Sequence, residues 1–435
     1  ALTKMALGNK IGCEINFIPS SVTALNIKKT TSTPKEKITA IKEGTAYDLF
    51  TPLYGSIIVE SDSALEKDPR FASGTVAKIG KTVSEQTIKI CGKTKASTSV
   101  IKLEAAEKAW ESTLAKVFPP VSDAKPQEEL PKFAKEVHRS LTDVQKNPVF
   151  NAPRHHPRVL IPVFPGTNCE FDMARAFNLA GADTKILVFR NNTPQALSDS
   201  LAELEKQLKK AQIFALAGGF SAPDGSGKFI ANVLREGRIS EQVMRLLKKR
   251  DGLVLGICNG FQALIKTGLV PYGEIREPSK EMPTLTFNQV GRHISRICRT
   301  RMVSAISPWS QHPSVVDSRI HLVPISHGEG RIIINPRLAK ELFEKGQIFT
   351  QYVDEKGNPA IIEPDNPNGS MFAIEGMTSP DGRVLGKMGH SERTVGTGMN
   401  GSSADLIMNV AGDPILNDSE NSCQNIFAAG VSYFK

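Results

Sequence analysis

The 435-residue chain has no apolar run long enough to cross a bilayer, which excludes a helical membrane span. No secretory pattern opens it, since Ala1-Leu2-Thr3-Lys4 leads into a mixed segment. Cysteine is sparse, with Cys13, Cys91, Cys169, Cys258, Cys298 and Cys423 making up the whole set. No two are spaced C-x-x-C, which argues against a zinc ribbon. Such sparse cysteines in a long chain point to a reducing compartment, so the expected location is the cytoplasm. The formal charge is +9, yet no dense Lys/Arg block and no aromatic-basic interleaving accompany it. A nucleic-acid reading would rest on charge alone, and neither nucleic acid nor membrane is expected as a partner. A basic excess can still favour phosphorylated ligands. There is no internal repeat. The chain does not begin with Met, so processing or origin in a longer polypeptide is expected.

What is present is ordinary globular composition, 40% hydrophobic and 23% charged, in a length that suits two or three domains. Residues 1–120 mix β-rich runs at Ser56–Glu60, Thr75–Ile79 and Thr87–Ile90 with a helical pattern from Leu103 to Leu114, as in part of an α+β domain. Residues 121–157 are rich in Pro, Lys, Glu and Asp and read as a linker, with a helix expected over Pro131–Leu141. The adjacent His155 and His156 lack a second ligand cluster, which disfavours a metal site there. From Arg158 the texture changes. Apolar strands at Val159–Phe164, Lys185–Phe189, Ile213–Ala217 and Gly252–Ile257 alternate with helical patterns at Glu170–Leu179 and Pro194–Lys210. Strands apolar throughout, separated by amphipathic helices, imply an α/β sheet covered on both faces. In such sheets the site lies at the carboxyl ends of the strands. Residues 158–435 are therefore read as one α/β domain.

The last of those strands runs into Gly256-Ile257-Cys258-Asn259-Gly260-Phe261-Gln262, the cysteine form of a nucleophile elbow. The glycines suit a strand-to-helix turn too sharp for side chains beside the nucleophile. The helix amino terminus favours thiolate, and the Asn259 amide is placed for a developing oxyanion. A thiol nucleophile needs a base, and the base needs an orienter. Gly389-His390-Ser391-Glu392 supplies both at the end of an apolar strand; if extended geometry persists, His390 and Glu392 project to the same side. Gly218-Gly219-Phe220-Ser221 offers further backbone amides after a strand. Cys169 is the rival nucleophile, although it lacks the second glycine of an elbow. Cys298 has basic neighbours able to lower its pKa, against which its β-rich surroundings suggest ordinary packing.

These residues resemble the class I glutamine amidotransferases, which carry a Gly-x-Cys-x-Gly-x-Gln elbow, a Gly-Gly oxyanion loop and a His-x-Glu pair on a mixed, mostly parallel α/β sheet with helices on both faces. Within that superfamily, six segments in order are similar to the phosphoribosylformylglycinamidine synthase family: Phe164–Glu170, Gly218–Ser221, Gly256–Gln262, Ser326–Arg331, Asn366–Ser370 and Met388–Arg393. Glu14–Phe17 and Leu49–Glu60 look like the end of that family's second aminoimidazole ribonucleotide synthetase-like domain, while its Asp- and Gly-rich nucleotide segments are not in this sequence. The resemblance thus implies a carboxy-terminal portion of a longer synthase.

It further implies that Cys258 attacks the glutamine carboxamide, that His390 oriented by Glu392 shuttles the proton, and that Asn259, Gly219 and Phe220 hold the oxyanion. Gln262, Asn288, Arg292, Ser295 and His327 match motifs around the glutamine pocket. No cofactor and no metal is implied for the glutaminase. ATP and Mg2+ serve the whole synthase, at sites mostly outside this chain, and the expected partners are glutamine and the rest of the synthase polypeptide. The alternatives are a stand-alone cysteine hydrolase and an inactive interaction module of the same fold.

Overall fold

The computed structural model describes residues 2–16, 57–71, 76, 78–91, 98–113, 127, 129–136, 156–219, 227–316, 320–394 and 424–435. The chain divides into two compact units, Ala1–Pro119 and Pro120–Lys435. Among the described residues no helix is long and apolar enough to cross a membrane.

The smaller unit contains helix α1 (Leu2–Asn9), strands β1 (Gly12–Ile15), β2 (Gly80–Val83), β3 (Thr87–Ile90) and β4 (Ser99–Lys102), and helix α2 (Leu103–Ser112). Its strands form one sheet in the order β2-β1-β3-β4, with β1 parallel to β3 and antiparallel to β2. Ala6, Leu7, Ile15, Ile88 and Leu103 form its core. The strand at Thr87–Ile90 and the helix from Leu103 lie where their patterns place them. Two other β-rich runs do not become strands. Ile57–Glu60 has no regular structure, and Val76, Lys78 and Ile79 precede β2; Ser56, Thr75 and Ala77 fall outside the described residues. For the first run the physical reason is a lack of burial: Ile57 is 85% exposed and Val59 59%. Strand propensity spans only about 1 kcal/mol and expresses itself when a side chain packs against a neighbour. Leu49–Ser56, part of the synthase-like match, also lies outside the described residues.

The larger unit is built on a nine-stranded sheet. Its strands are β5 (Arg158–Val163), β6 (Asp183–Val188), β7 (Ile213–Leu216), β8 (Leu253–Ile257), β10 (Ile294–Met302), β11 (Ile320–His327), β13 (Ile348–Tyr352), β14 (Ile374–Thr378) and β15 (Val384–Lys387). They lie in the order β11-β10-β13-β14-β15-β8-β7-β5-β6. Every pairing from β15 to β6 is parallel, and every pairing from β15 to β11 is antiparallel. A separate ribbon pairs β9 (Thr284–Thr286) with β12 (Arg331–Ile333). All residues of β7 and β8 are buried, as required of central strands covered on both faces.

Among the described residues of this unit, the helices of seven residues or more are α3 (Glu170–Leu179), α4 (Pro194–Leu208), α5 (Lys228–Arg235), α6 (Gly237–Lys249), α7 (Asn259–Thr267), α8 (Pro336–Glu344) and α9 (Ile426–Ser432). Their boundaries follow local rules. Thr193 caps α4 by accepting from Ala196 N at 3.1 Å, with Pro194 at the first helical position. Gly268, at φ 83°, stops α7.

Part of residues 121–157 packs on this unit. Ala134 belongs to the core, with Leu130 and Phe133 against it. Gln351 Nε2 donates to the Ala134 carbonyl at 2.9 Å. In place of the start of a longer helix, Lys132–Ala134 is a single 3-10 turn, and residues past 136 lie outside the described set.

The glycines around Cys258 have a role different from the one their spacing suggests. A Cβ on Gly256 would sit 2.7 Å from Gly260 C and 2.6 Å from Leu264 Cδ1, and one on Gly260 would sit 2.2 Å from the Leu216 carbonyl oxygen. They make room between α7 and the sheet, so that the helix rests directly on β7 and β8. Gly260→Ala is therefore expected to destabilise this unit by about 1–3 kcal/mol, the range for overpacking. Thermal unfolding checks this, and an unchanged Tm would contradict the close approach.

Candidate active site

Cys258 sits between β8 and α7 with φ 52° and ψ −105°, a left-handed backbone conformation that costs energy for a non-glycine residue. The surroundings over-determine it. Its N–H donates to the Lys387 carbonyl at 2.8 Å, and its carbonyl accepts from Gln262 N at 3.0 Å. The side chain is buried, with Sγ 4.0 Å from the Ser326 carbonyl oxygen. As the residue capping α7, Cys258 also lies where the helix dipole favours negative charge.

His390 arrives from β15, the parallel neighbour of β8, in whose register Gly386 faces Gly256 and Lys387 faces Ile257. The strand ends at Lys387, and Ser391–Arg393 is a 3-10 turn. Strand alternation therefore does not align His390 with Glu392; the tight turn does. His390 Nδ1 and Glu392 Oε1 are 2.6 Å apart, and both side chains are buried. The His390 N–H donates to the Pro324 carbonyl at 2.8 Å. With Nδ1 engaged, Nε2 is buried without a hydrogen-bond partner, and Cys258 and Cys169 are the two thiols next to the imidazole. Burial pushes the His390 pKa down, but the Glu392 carboxylate, which accepts from Nδ1, and the two nearby thiols outweigh it. The pKa ends well above the ordinary histidine value. Gly218 leaves space for the ring: a Cβ there would be 2.7 Å from His390 Cε1, 3.3 Å from Cys258 Cβ and 3.4 Å from Cys169 Sγ.

Cys169, the rival thiol, is thus adjacent to the site. It caps α3 from an unstrained backbone, φ −104°, and its Sγ bonds to Asn168 Oδ1 at 3.2 Å. Burial raises its pKa despite the opposing pull of His390. The strained turn belongs to Cys258 alone of the two. Cys169, His390 and Glu392 bring a sulfur, an imidazole nitrogen and a carboxylate oxygen within 4.8 Å of one another. Cys298 is buried on β10, and burial pushes its pKa up to about 12 in spite of Arg296, so its basic neighbours do not make it reactive. His156 is exposed, with Nδ1 3.0 Å from the Gly181 carbonyl; His155 lies outside the described residues.

Of the expected oxyanion donors, Asn259 is the first residue of α7, where N–H groups aim out of the helix end. Gly219, at φ 141°, bridges to Thr167; a Cβ there would meet the Gly166 carbonyl oxygen at 2.4 Å. Phe220 lies outside the described residues.

The expected pocket residues divide. Gln262 spends its amide on Glu329 O at 2.6 Å and Asn259 Nδ2 at 3.0 Å. Asn288 is fully buried and fully used. Its Nδ2 donates to His327 O at 2.8 Å and Arg292 O at 3.0 Å, and its Oδ1 lies 3.1 Å from both Gly330 N and His327 Nδ1. His327 is held near a pKa of about 3, by burial first and then by the charges of His390 and His293, so it is neutral. These three brace the 327–330 turn beside Cys258. Arg292 is half-buried, and Ser295 is exposed opposite Ser326 in the β10–β11 ladder.

Two residues of the site region were not singled out from the sequence, Glu375 and Lys387. The signal was available: each is a charge within an apolar strand, where it requires a partner.

A family model described as the CobB/CobQ-like glutamine amidotransferase domain matches residues 156–434. The chain belongs to this glutamine amidotransferase family. This amidotransferase is 35% identical over 242 residues to the phosphoribosylformylglycinamidine synthase subunit PurQ of Dehalococcoides mccartyi, covering 55% of this chain and 86% of that protein. It is 33% identical over 289 residues to the subunit of the same name from Methanococcus maripaludis, covering 64% and 97%. Among solved structures it is similar to a chain of PurLQS from Thermotoga maritima, at 22% identity and a TM-score of 0.44, covering 64% of this amidotransferase and 100% of that chain.

The electrostatics of His390 yield a signed expectation. Glu392→Gln removes the carboxylate that holds the proton, leaving burial less opposed. His390 should then lose its proton at a lower pH than in the unmodified protein, followed by NMR of 15N-histidine. An unmoved titration would show that Glu392 does not set the charge of this ring.

Proposed function

We propose that this amidotransferase hydrolyses glutamine through a thioester on Cys258 and supplies the ammonia for conversion of phosphoribosylformylglycinamide to phosphoribosylformylglycinamidine in purine biosynthesis. The observation that carries the assignment of residues is a thiol in a strained strand-to-helix turn beside an imidazole whose Nδ1 lies 2.6 Å from a carboxylate and whose Nε2 has no hydrogen-bond partner.

Cys258 gives its thiol proton to His390 as Sγ attacks the side-chain carbonyl carbon of glutamine, and the amides of Asn259 and Gly219, joined by Phe220, stabilise the oxyanion. His390 delivers a proton to the departing nitrogen as the C–N bond breaks, leaving ammonia and a glutamyl thioester. His390 then takes a proton from water. The hydroxyl adds to the thioester carbon, the C–S bond breaks, His390 returns that proton to sulfur, and glutamate leaves with the thiol restored. Glu392 fixes the tautomer and orientation of His390 throughout.

In this reading Gln262 and Asn288, whose amides are already engaged, shape the pocket wall, while His327 keeps Nε2 without a hydrogen-bond partner. Arg292 and Ser295 are then the candidates for the substrate's charged α-groups. The glutaminase half needs no cofactor. ATP and Mg2+ act in the amidine-forming half, on other parts of the synthase with which this chain works, in the cytoplasm.

Glutaminase assays on the purified protein with its synthase partner region test the assignment. Cys258→Ala should abolish glutamate release and labelling by a glutamine-analogue electrophile. Cys169→Ala should retain that labelling. Labelling at Cys169, or glutamate release that survives Cys258→Ala, would overturn it. Glu392→Gln should lower kcat by roughly 10²–10⁴-fold, the usual contribution of a correctly held acid–base group.

A further inference from the structure

Lys387 and Glu375 are both wholly buried, with Lys387 Nζ 3.2 Å from Glu375 Oε1. The ammonium has three hydrogens and three partners: this carboxylate, the Gly389 carbonyl at 2.9 Å and Ser391 Oγ at 3.0 Å. The last two flank His390 on either side. Glu375 Oε1 also accepts from the Gly389 N–H at 2.6 Å, while Oε2 is held by Thr350 Oγ1. Ser391 Oγ in turn donates to Gln424 Oε1 at 2.9 Å. Gly389 is seated against the pair: a Cβ there would lie 2.9 Å from Glu375 Oε1 and 3.1 Å from Lys387 Nζ. The backbone of Lys387 meanwhile holds the other half of the site, since its carbonyl accepts from Cys258 N at 2.8 Å.

Stability alone gives a poor account of such a pair. Taking both charges out of water costs free energy that the mutual attraction repays only when every remaining hydrogen bond is made, and apolar replacements of similar volume are often no less stable. What charged groups add here is direction. A three-donor cation and a two-oxygen anion fix the carbonyl, the amide and the hydroxyl of the residues on both sides of the base. Hydrophobic side chains in the same volume would leave those groups without partners and the turn without a defined orientation.

We infer that the Lys387–Glu375 pair is a positioning clamp for His390, holding the imidazole in line with Cys258 while Glu392 holds its far nitrogen. Neither member touches the reacting atoms; both act through the Gly389–Ser391 turn. The inference rests on the assignment of His390 as the acid–base group. It predicts that the clamp governs the chemical step and leaves glutamine affinity largely alone.

The test uses the full chain with its synthase partner region. Lys387→Met alone strands the Glu375 carboxylate and is liable to misfold, so the informative variant is the uncharged double substitution Lys387→Met/Glu375→Gln. Ser391→Ala accompanies it, removing one of the three partners of the ammonium without stranding a charge. Two quantities are read: steady-state kcat and KM for glutamine, and the 15N-histidine NMR signal of His390, including its Nδ1 proton. The expected result is a folded double variant with kcat down at least about 10-fold, KM within about twofold, and a displaced or broadened His390 signal. Ser391→Ala should move both quantities the same way by less. A folded double variant with unchanged kcat, or with an unmoved His390 signal, overturns the clamp; so does a loss confined to KM. If the double variant does not fold, Ser391→Ala decides, and an unmoved His390 signal in it overturns the clamp. Should the unmodified protein release no glutamate from glutamine, the functional assignment falls, while the NMR comparison still decides the clamp.

Discussion

One backbone hydrogen bond joins the two halves of the site: Cys258 N–H to the Lys387 carbonyl, at 2.8 Å. It extends the parallel ladder of β8 and β15 by one step past Ile257. Because these strands are neighbours, the turn that follows β8 and the turn that follows β15 leave the sheet side by side. The proposed nucleophile at position 258 and the proposed base at position 390 therefore come together, although more than 130 residues separate them in the chain. A one-residue slip in that register would reverse which side chains face the core and carry His390 away from the thiol. The buried central strands, the close seat of α7 allowed by Gly256 and Gly260, and the space left by Gly218 all maintain this junction.

The site stores strain and electrostatic cost side by side. Cys258 holds a backbone conformation unfavourable for its type, and His390, Glu392, Lys387 and Glu375 place ionisable groups out of water. Each is held by explicit partners: strand and helix bonds on the cysteine, the Glu392 carboxylate on the histidine, and the loop atoms around Gly389 on the ion pair. Preorganisation of this kind is what an acyl-transfer site requires, because the groups need not reorganise as charge develops.

Much of the larger unit was legible in the sequence because its signals are local. Fully apolar runs gave β5 to β8, and α3 was bounded correctly by its own periodicity. The elbow was recognisable from glycine spacing, although those glycines serve helix–sheet contact more than the nucleophile's surroundings. The His390–Glu392 pairing was anticipated for the wrong geometric reason, since a 3-10 turn aligns them. Features that depend on distant partners were not legible. Gln262 and Asn288 look like pocket groups in sequence, yet their amides are consumed by the 327–330 turn, a relation no spacing rule encodes. The β-branched run near 57 looks like a strand until its exposure is known. Glu375 and Lys387 form one unit only because β14 folds back on β15.

The account stands on Cys258 being the atom that carries the substrate. Rapid acid quench of the enzyme during turnover of glutamine, followed by peptide mass spectrometry, reads this directly. A glutamyl adduct on the peptide containing Cys258, absent from Cys258→Ala and cleared as glutamine is exhausted, is the result expected. An adduct on the Cys169 peptide under the same conditions would contradict it.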